Sequence, residues 1–450
     1  MQHNSSKNIL VLGAGLSSSS LIRYLLEQSS EHNWKIKVVD RDIALVQQKL
    51  KGHENGEALE FNAILSEERK PEIDKADLVI SMLPARFHYE VALDCIELKT
   101  NLITPSYISA EMRSLDQKAK DAGIVIMNEI GVDPGLDHMS AMKIIHGVQN
   151  KGGEVTSFKS FCGGLVAPES DNNPWNYKFT WNPRNVVLAG QGGAASFIQN
   201  GEYKYIPYNR LFGRLHTMSV EGFGDFVGYA NRDSLSYRAT YGLDDIPTIF
   251  RGTLRRPGYC EAWNVFIELG MTDDSYEMNI HKSITPRSFL NAFLPYHPTK
   301  TVEEKFKEFL REDRIHLYDR FEWLGIFKDE PLIEFERPTP AQALQQILVH
   351  KLSLSDGDKD MLVMIHEFEY TLNGSKYQIT SHMVNIGEDQ VYTSMSNTVG
   401  LPAGICAKMI LTGKLQTTGV TLPVQPEVYN PILEELESFD IRFIESEVKA

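Results

Sequence analysis

Cysteine is scarce and scattered: Cys95, Cys162, Cys260 and Cys406 are the four in 450 residues. No pair has the spacing of a zinc site, and four thiols do not make a disulfide scaffold for a chain this long. Reduced thiols in a cytoplasmic protein are the expectation. Long apolar runs are missing too. No stretch approaches the roughly 18 residues of a membrane span. Met1 to Asn8 is polar and lacks the apolar core of a secretory signal. Positive charge is in deficit, with 45 Lys and Arg against 60 Asp and Glu, a formal net charge of −15. Nucleic-acid partners need a basic face for phosphate, so none is expected. His366-Glu367 opens a zinc-protease pattern, but Tyr370 stands where its second histidine would be. No catalytic metal is expected.

What remains is an ordinary soluble composition, 42% apolar and 23% charged. The length suits two or three domains. Over the first 130 residues strand and helix patterns alternate. Strands are expected at Asn8 to Leu12, Lys35 to Val39, Ala58 to Asn62, Asp77 to Met82, Asn101 to Thr104 and Ile124 to Asn128. Helices are expected at Ser17 to Gln28, His88 to Glu97 and Ser109 to Ala122. Such alternation implies right-handed βαβ units and a doubly wound parallel sheet of the Rossmann α/β class. After Asp133-Pro134-Gly135 the texture changes. Alternating runs at Ser157 to Phe161, Asp225 to Tyr229, Met361 to Leu372 and Lys376 to His382 predict strands of an α+β domain. A helix-rich insertion is expected at about 284–352, including Val302 to Arg311. Val399 to Thr412, rich in small residues, predicts a helix returning to the first domain. The expected division is 1–132, 133–395 and 396–450.

Gly13-Ala14-Gly15-Leu16-Ser17-Ser18 lies between the first strand and the first helix. Gly13 permits the tight turn and Gly15 lets backbone approach a pyrophosphate, while the helix start offers free N–H groups. Ser18 takes the place of a third small residue. Asp40 ends the second strand, where a carboxylate can accept from ribose hydroxyls. That carboxylate repels a 2′-phosphate and favours NAD. Arg41 beside it suits NADP. The expectation leans to NAD, with NADP as the alternative.

Arg232, Arg251, Arg255 and Arg256 fall within 25 residues of an acidic chain. Guanidinium groups bind carboxylates bidentately, so the cluster reads either as a site for an anionic substrate or as ordinary surface ion pairs. Asn128 to His138 (NEIGVDPGLDH) follows the last Rossmann strand. Asp133 there either faces substrate or caps the next helix. His138 reads more readily as a packed or capping residue than as a catalyst.

NEIGVDPGLDH, FCGGLVAPE (161–169), YKFTW (177–181) and RGTL (251–254) resemble the saccharopine reductases, also called L-glutamate-forming saccharopine dehydrogenases. VISMLP (79–84), Ser106 to Ser109 and NRDS (231–234) fit in the same order along nearly the whole chain. The resemblance implies a Rossmann domain, a substrate and dimerisation domain, and a homodimer. It implies a dinucleotide-dependent reaction linking saccharopine, glutamate and 2-aminoadipate 6-semialdehyde in lysine metabolism. By the same resemblance Ser106, Tyr107, Asp133, Arg232, Thr253, Leu254 and Arg255 contact substrate. Arg232 and Arg255 would clamp carboxylates, and Asp133, Tyr107 and Cys162 would lie near the reacting amine. Gly13, Gly15, Leu16, Ser17, Asp40, Arg41, Leu83, Pro84, Val132, Pro134 and Gly135 would hold the cofactor. A carboxylate beside arginines is a weak base near neutral pH, so Asp133 is expected mainly to hold the amine while solvent carries protons. Cys162 also reads as a small buried residue before two glycines.

Asp40 departs from family members that use NADP, and Pro257 to Cys260 also diverges. Two rival readings are a carboxynorspermidine dehydrogenase-like reductase, which would use a diamine in place of glutamate, and a nonenzymatic nucleotide-binding regulator.

Overall fold

The computed structural model describes residues 6–279, 284–332 and 335–450. Its strands are β1 (Lys7–Leu12), β2 (Trp34–Asp40), β3 (Gly56–Glu60), β4 (Leu78–Ser81), β5 (Asn101–Ile103), β6 (Val125–Met127), β7 (Glu154–Val166), β8 (Ala195–Gln199), β9 (Glu202–Ile206), β10 (Leu215–Val220), β11 (Gly224–Ala230), β12 (Thr248–Arg255), β13 (Asp360–Leu372), β14 (Ser375–Ile386), β15 (Gly419–Thr421) and β16 (Ile444–Lys449). The chain divides into two compact units, Met1–Val155 with Glu369–Ala450, and Thr156–Phe368. These boundaries fall inside β7 and β13, not at 132 and 395. One reason is that helix Leu136–Asn150 belongs with helix Pro426–Leu436, where the His146 imidazole meets the Tyr429 hydroxyl at 2.8 Å.

The first unit holds a seven-stranded sheet in the order β15-β6-β5-β4-β1-β2-β3. Every neighbouring pair is parallel. Both faces of such a sheet are covered, which is why β1 and β4 read as apolar runs and are buried throughout their central residues. The seventh strand comes from Gly419–Thr421, far along the chain. Helix Ser394–Leu411 packs on helix Ser19–His32. A Cβ on Gly400 would stand 2.7 Å from the Leu21 nitrogen, and one on Gly404 2.6 Å from the Tyr24 ring. The small residues of that helix therefore set how closely the two axes approach. Buried polar contacts fix the register: Ser396 Oγ accepts from Ser20 N at 2.9 Å, and the Ser20 hydroxyl donates to Asn397 at 2.5 Å. The helix expected over 109–122 is two, Ala110–Ser114 and Asp116–Ala122. At Leu115 the backbone N–H reaches back three residues to Met112, which tightens the turn and separates them.

The second sheet is mixed, ordered β10-β11-β12-β7-β13-β14-β16, with β8 joined to β12 and β9 to β8. Strands β12 and β7 are parallel, while β10, β11 and β12 are antiparallel. The Phe161 ring explains two glycines here, because a Cβ on Gly228 or Gly252 would meet it at 2.6 Å. Helices Pro286–Phe293, Val302–Arg314, Tyr318–Leu324 and Pro340–Leu352 make up the helical insertion. The second of them leaves helical geometry at Arg311. His366 lies on β13, and among the described residues no group of three or more His, Cys, Asp or Glu could hold a metal ion. None of the described helices is long and apolar enough to cross a membrane.

Candidate active site

The sequence-derived cofactor positions in the first unit collect at the carboxyl ends of its parallel strands, where open α/β sheets bind ligands. After β1, Gly13 takes a φ of +102° and its N–H donates to Val39 O at 2.8 Å. A side chain there would be strained, and its Cβ would lie 3.3 Å from the Met82 backbone. Gly15 is exposed, with nothing within 4 Å of where a Cβ would be, so the loop is open to a ligand. Leu16 is exposed and Ser17 half-buried beside it. The Asp40 carboxylate accepts from Ala14 N at 2.8 Å and from Asp42 N at 3.2 Å. It thus ties the end of β2 to the glycine loop and keeps lone pairs for ribose hydroxyls. Arg41 is exposed next to it. Leu83 and Pro84 follow β4, and Val132, Pro134 and Gly135 follow β6. An open glycine turn before a helix start and a carboxylate at the end of β2 fit a dinucleotide. Bound there, a nicotinamide supplies a hydride acceptor.

A second cluster stands at the same sheet edge, after β5 and β6. The Tyr107 hydroxyl donates to Asp133 Oδ1 at 2.7 Å. Tyr107 is exposed and Asp133 half-buried. Behind them, Glu129 brackets Tyr107. Its N–H donates to Ser106 O at 3.2 Å, and its Oε1 accepts from Ile108 N at 2.8 Å. The backbone adopts φ +56° at Glu129 to make this return. The other carboxylate oxygen accepts from His138 Nε2 at 2.6 Å, and His138 is fully buried. His138 is therefore a packed partner of Glu129. Gly135 closes the loop, since a Cβ there would lie 2.1 Å from Gly131 O. Asp137 Oδ1 accepts from Gly135 N at 2.6 Å.

Ser106 is held from the other side. Its hydroxyl meets His88 Nε2 at 2.8 Å, and His88 Nδ1 meets the Ser81 hydroxyl at 3.0 Å. Burial pushes the His88 imidazole down to about 4, so it stays neutral at ordinary pH. Neither His88 nor the bracketing role of Glu129 is signalled by the sequence. Lys49 was likewise unmarked. Its ammonium donates to Gly15 O at 2.6 Å, Ser19 Oγ at 2.8 Å and Ser18 Oγ at 3.1 Å.

In the second unit the register places Cys162 beside Thr253 and Thr253 beside Tyr229 across β7, β12 and β11. Paired residues share a sheet face, so these three side chains form one row. Arg255 lies two residues beyond Thr253 on that face, 4% exposed. Its guanidinium stands 5.1, 5.3 and 5.8 Å from the ring centres of Tyr177, Tyr259 and Tyr229. Nη1 donates to Leu254 O at 2.7 Å, and Nε is buried without a hydrogen-bond partner. Leu254 points to the opposite face and is fully buried, so its side chain is not brought to this row. Arg232 is exposed, with φ +31°, and its carbonyl accepts from Ser196 N at 2.7 Å. Arg251 stacks over Tyr237 at 4.0 Å, and Arg256 donates to Phe223 O at 2.6 Å. The four arginines thus meet different neighbours.

The family described as "Saccharopine dehydrogenase NADP binding domain" matches residues 9–127, and "Saccharopine dehydrogenase C-terminal domain" matches residues 131–441. The chain is 32% identical over 460 residues to saccharopine dehydrogenase [NADP(+), L-glutamate-forming] of Schizosaccharomyces pombe, covering 97% of this chain and 98% of the relative. It is 34% identical to the mitochondrial alpha-aminoadipic semialdehyde synthase of Mus musculus, covering 98% of this chain but 48% of that longer protein. The apo histidine-tagged L-Glu-forming saccharopine dehydrogenase of Saccharomyces cerevisiae superposes with a TM-score of 0.89 at 32% identity, covering 98% of this chain and all of that one.

Proposed function

The chain belongs to the saccharopine dehydrogenase family, and from that premise we propose that it interconverts saccharopine with glutamate and 2-aminoadipate 6-semialdehyde using NAD(P). In the oxidative direction the carbon next to the secondary amine gives up hydride, and the nitrogen loses its proton. The resulting imine takes up water, and its C–N bond breaks. Glutamate keeps the nitrogen and the other fragment leaves as the aldehyde. One proton is released for each nicotinamide reduced.

The hydrogen bond between Tyr107 and Asp133, at the carboxyl edge of the dinucleotide sheet, is the observation that carries this reading. A carboxylate orients the amine and a phenol hydrogen-bonded to it can pass a proton toward solvent. Ser106, fixed by His88, offers a further hydroxyl. The assignment of Arg232 and Arg255 to substrate carboxylates, of Thr253 to substrate and of Cys162 to the neighbourhood of the amine is supported by family resemblance. The exposure of Arg232 and the shared face of Cys162, Thr253 and Arg255 are consistent with it. We assign NAD as the favoured dinucleotide, on the strength of the Asp40 carboxylate, although the fungal relatives are named for NADP(+). A homodimer is part of the same reading, checked by light scattering.

The test is Asp133→Asn. It should abolish saccharopine oxidation while leaving NADH binding, read by fluorescence, within about twofold of the unaltered protein. Full activity in this variant would remove Asp133 from the chemistry.

A further inference from the structure

Lys49 sits on the inner side of helix Ile43–Leu50, 9% exposed. From the glycine loop and the turn after it, the ammonium meets one carbonyl and two hydroxyls, of Gly15, Ser18 and Ser19. From β2 it faces the carboxylate of Asp40, the charged group that acts on it. Two features make this an awkward place for a cation. It is shielded from water, and it lies beside the start of helix Ser19–His32, the positive end of that helix's dipole. Three hydrogen bonds and the Asp40 charge offset those costs only in part. Burial holds the ammonium down at about 8, with Asp40 acting in the opposite sense. A pyrophosphate arriving on the loop would bring the negative charge this arrangement lacks.

We propose that Lys49 is a positioning residue for the dinucleotide: it anchors the Gly15 carbonyl behind the loop and couples cofactor binding to proton uptake. This rests on the loop being the dinucleotide site. The sign follows from linkage. If bound phosphate favours the charged ammonium, affinity is highest where Lys49 is already protonated. It falls as pH rises through 8, and binding near that pH draws a proton from solvent.

The test is isothermal titration of the full chain with NADH, and separately with NADPH. Each is run at pH 7, 8 and 9 in two buffers of different ionisation enthalpy. NADH carries no group that titrates in this window. The unaltered protein should bind several-fold more weakly at pH 9 than at pH 7, with net proton uptake at pH 8. Lys49→Met should bind roughly tenfold more weakly at pH 7, with no uptake and a flat pH profile. Lys49→Arg keeps the charge but does not titrate. It should bind near normally at pH 7 and lose both the uptake and the pH dependence, which decides the matter even if Lys49→Met fails to fold. Unchanged proton uptake and pH dependence in a folded Lys49 variant would overturn the proposal. Absence of binding of either nucleotide by the unaltered chain at every pH would instead overturn the nucleotide site, and the proposal with it.

Discussion

The Tyr107 hydroxyl donates to the Asp133 carboxylate at 2.7 Å, joining the loop after β5 to the loop after β6. Neither residue could be placed by its own segment. The bond exists because Glu129 grips the backbone on both sides of Tyr107.

Removing the Tyr107 hydroxyl should therefore hurt turnover more than binding of the dinucleotide. Tyr107→Phe is expected to lower kcat/KM for saccharopine by roughly 100-fold, the usual scale for a lost proton-transfer group. The NADH dissociation constant should not move. Steady-state kinetics beside a fluorescence titration measure both. An unchanged kcat/KM would make Tyr107 a bystander.

Glu129 is 4% exposed and paired with His138. Glu129→Ala leaves the Ile108 N–H and the His138 imidazole without this acceptor, at a cost of about 3 kcal/mol. Urea unfolding should show that loss. Saccharopine oxidation should fall alongside, since Tyr107 is released. A variant of normal stability and activity would contradict the bracket.

His88 gives a pH signature. Its folded value lies near 4, below the ordinary 6.5. Between those values the unfolded chain binds a proton that the folded chain refuses, so stability rises with pH across this window. The contribution is present above about 6.5 and is lost as pH falls toward 4, a change of about 3 kcal/mol. In His88→Asn that share of the slope should vanish. Parallel stability curves for the two proteins would rule the assignment out.

Asp40→Ala should weaken NAD by roughly 10- to 100-fold, the range for a lost hydrogen bond to a charged group, and NADP by less. Titrating both nucleotides into both proteins provides the comparison. If the unaltered chain already prefers NADP, the cofactor assignment is wrong.

The nucleotide half of the molecule was readable because its strands are buried on both faces. Runs such as ILVL and LVIS announce themselves without any knowledge of their neighbours. Gly419–Thr421 was not, because a three-residue strand is recruited by the free edge of β6, and nothing in its own pattern distinguishes it from loop. The glycine turn and Asp40 were legible from spacing alone. Lys49 was not: nothing in its own segment sets it apart from other lysines, and only the fold turns it inward. The motif around Glu129 stood out, but its role depends on a left-handed backbone turn that brings its carboxylate to Ile108. For Arg255 the sequence suggested a carboxylate clamp. A central strand sets that guanidinium among Tyr177, Tyr229 and Tyr259, a surrounding that the sequence did not reveal.

Saccharopine supplied with NAD or NADP, followed by the rise of reduced nicotinamide and by identification of both organic products, tests the central claim most directly. Equal amounts of reduced cofactor, glutamate and 2-aminoadipate 6-semialdehyde are expected. Lysine and 2-oxoglutarate as the products, or no reduction of either nucleotide, would contradict it.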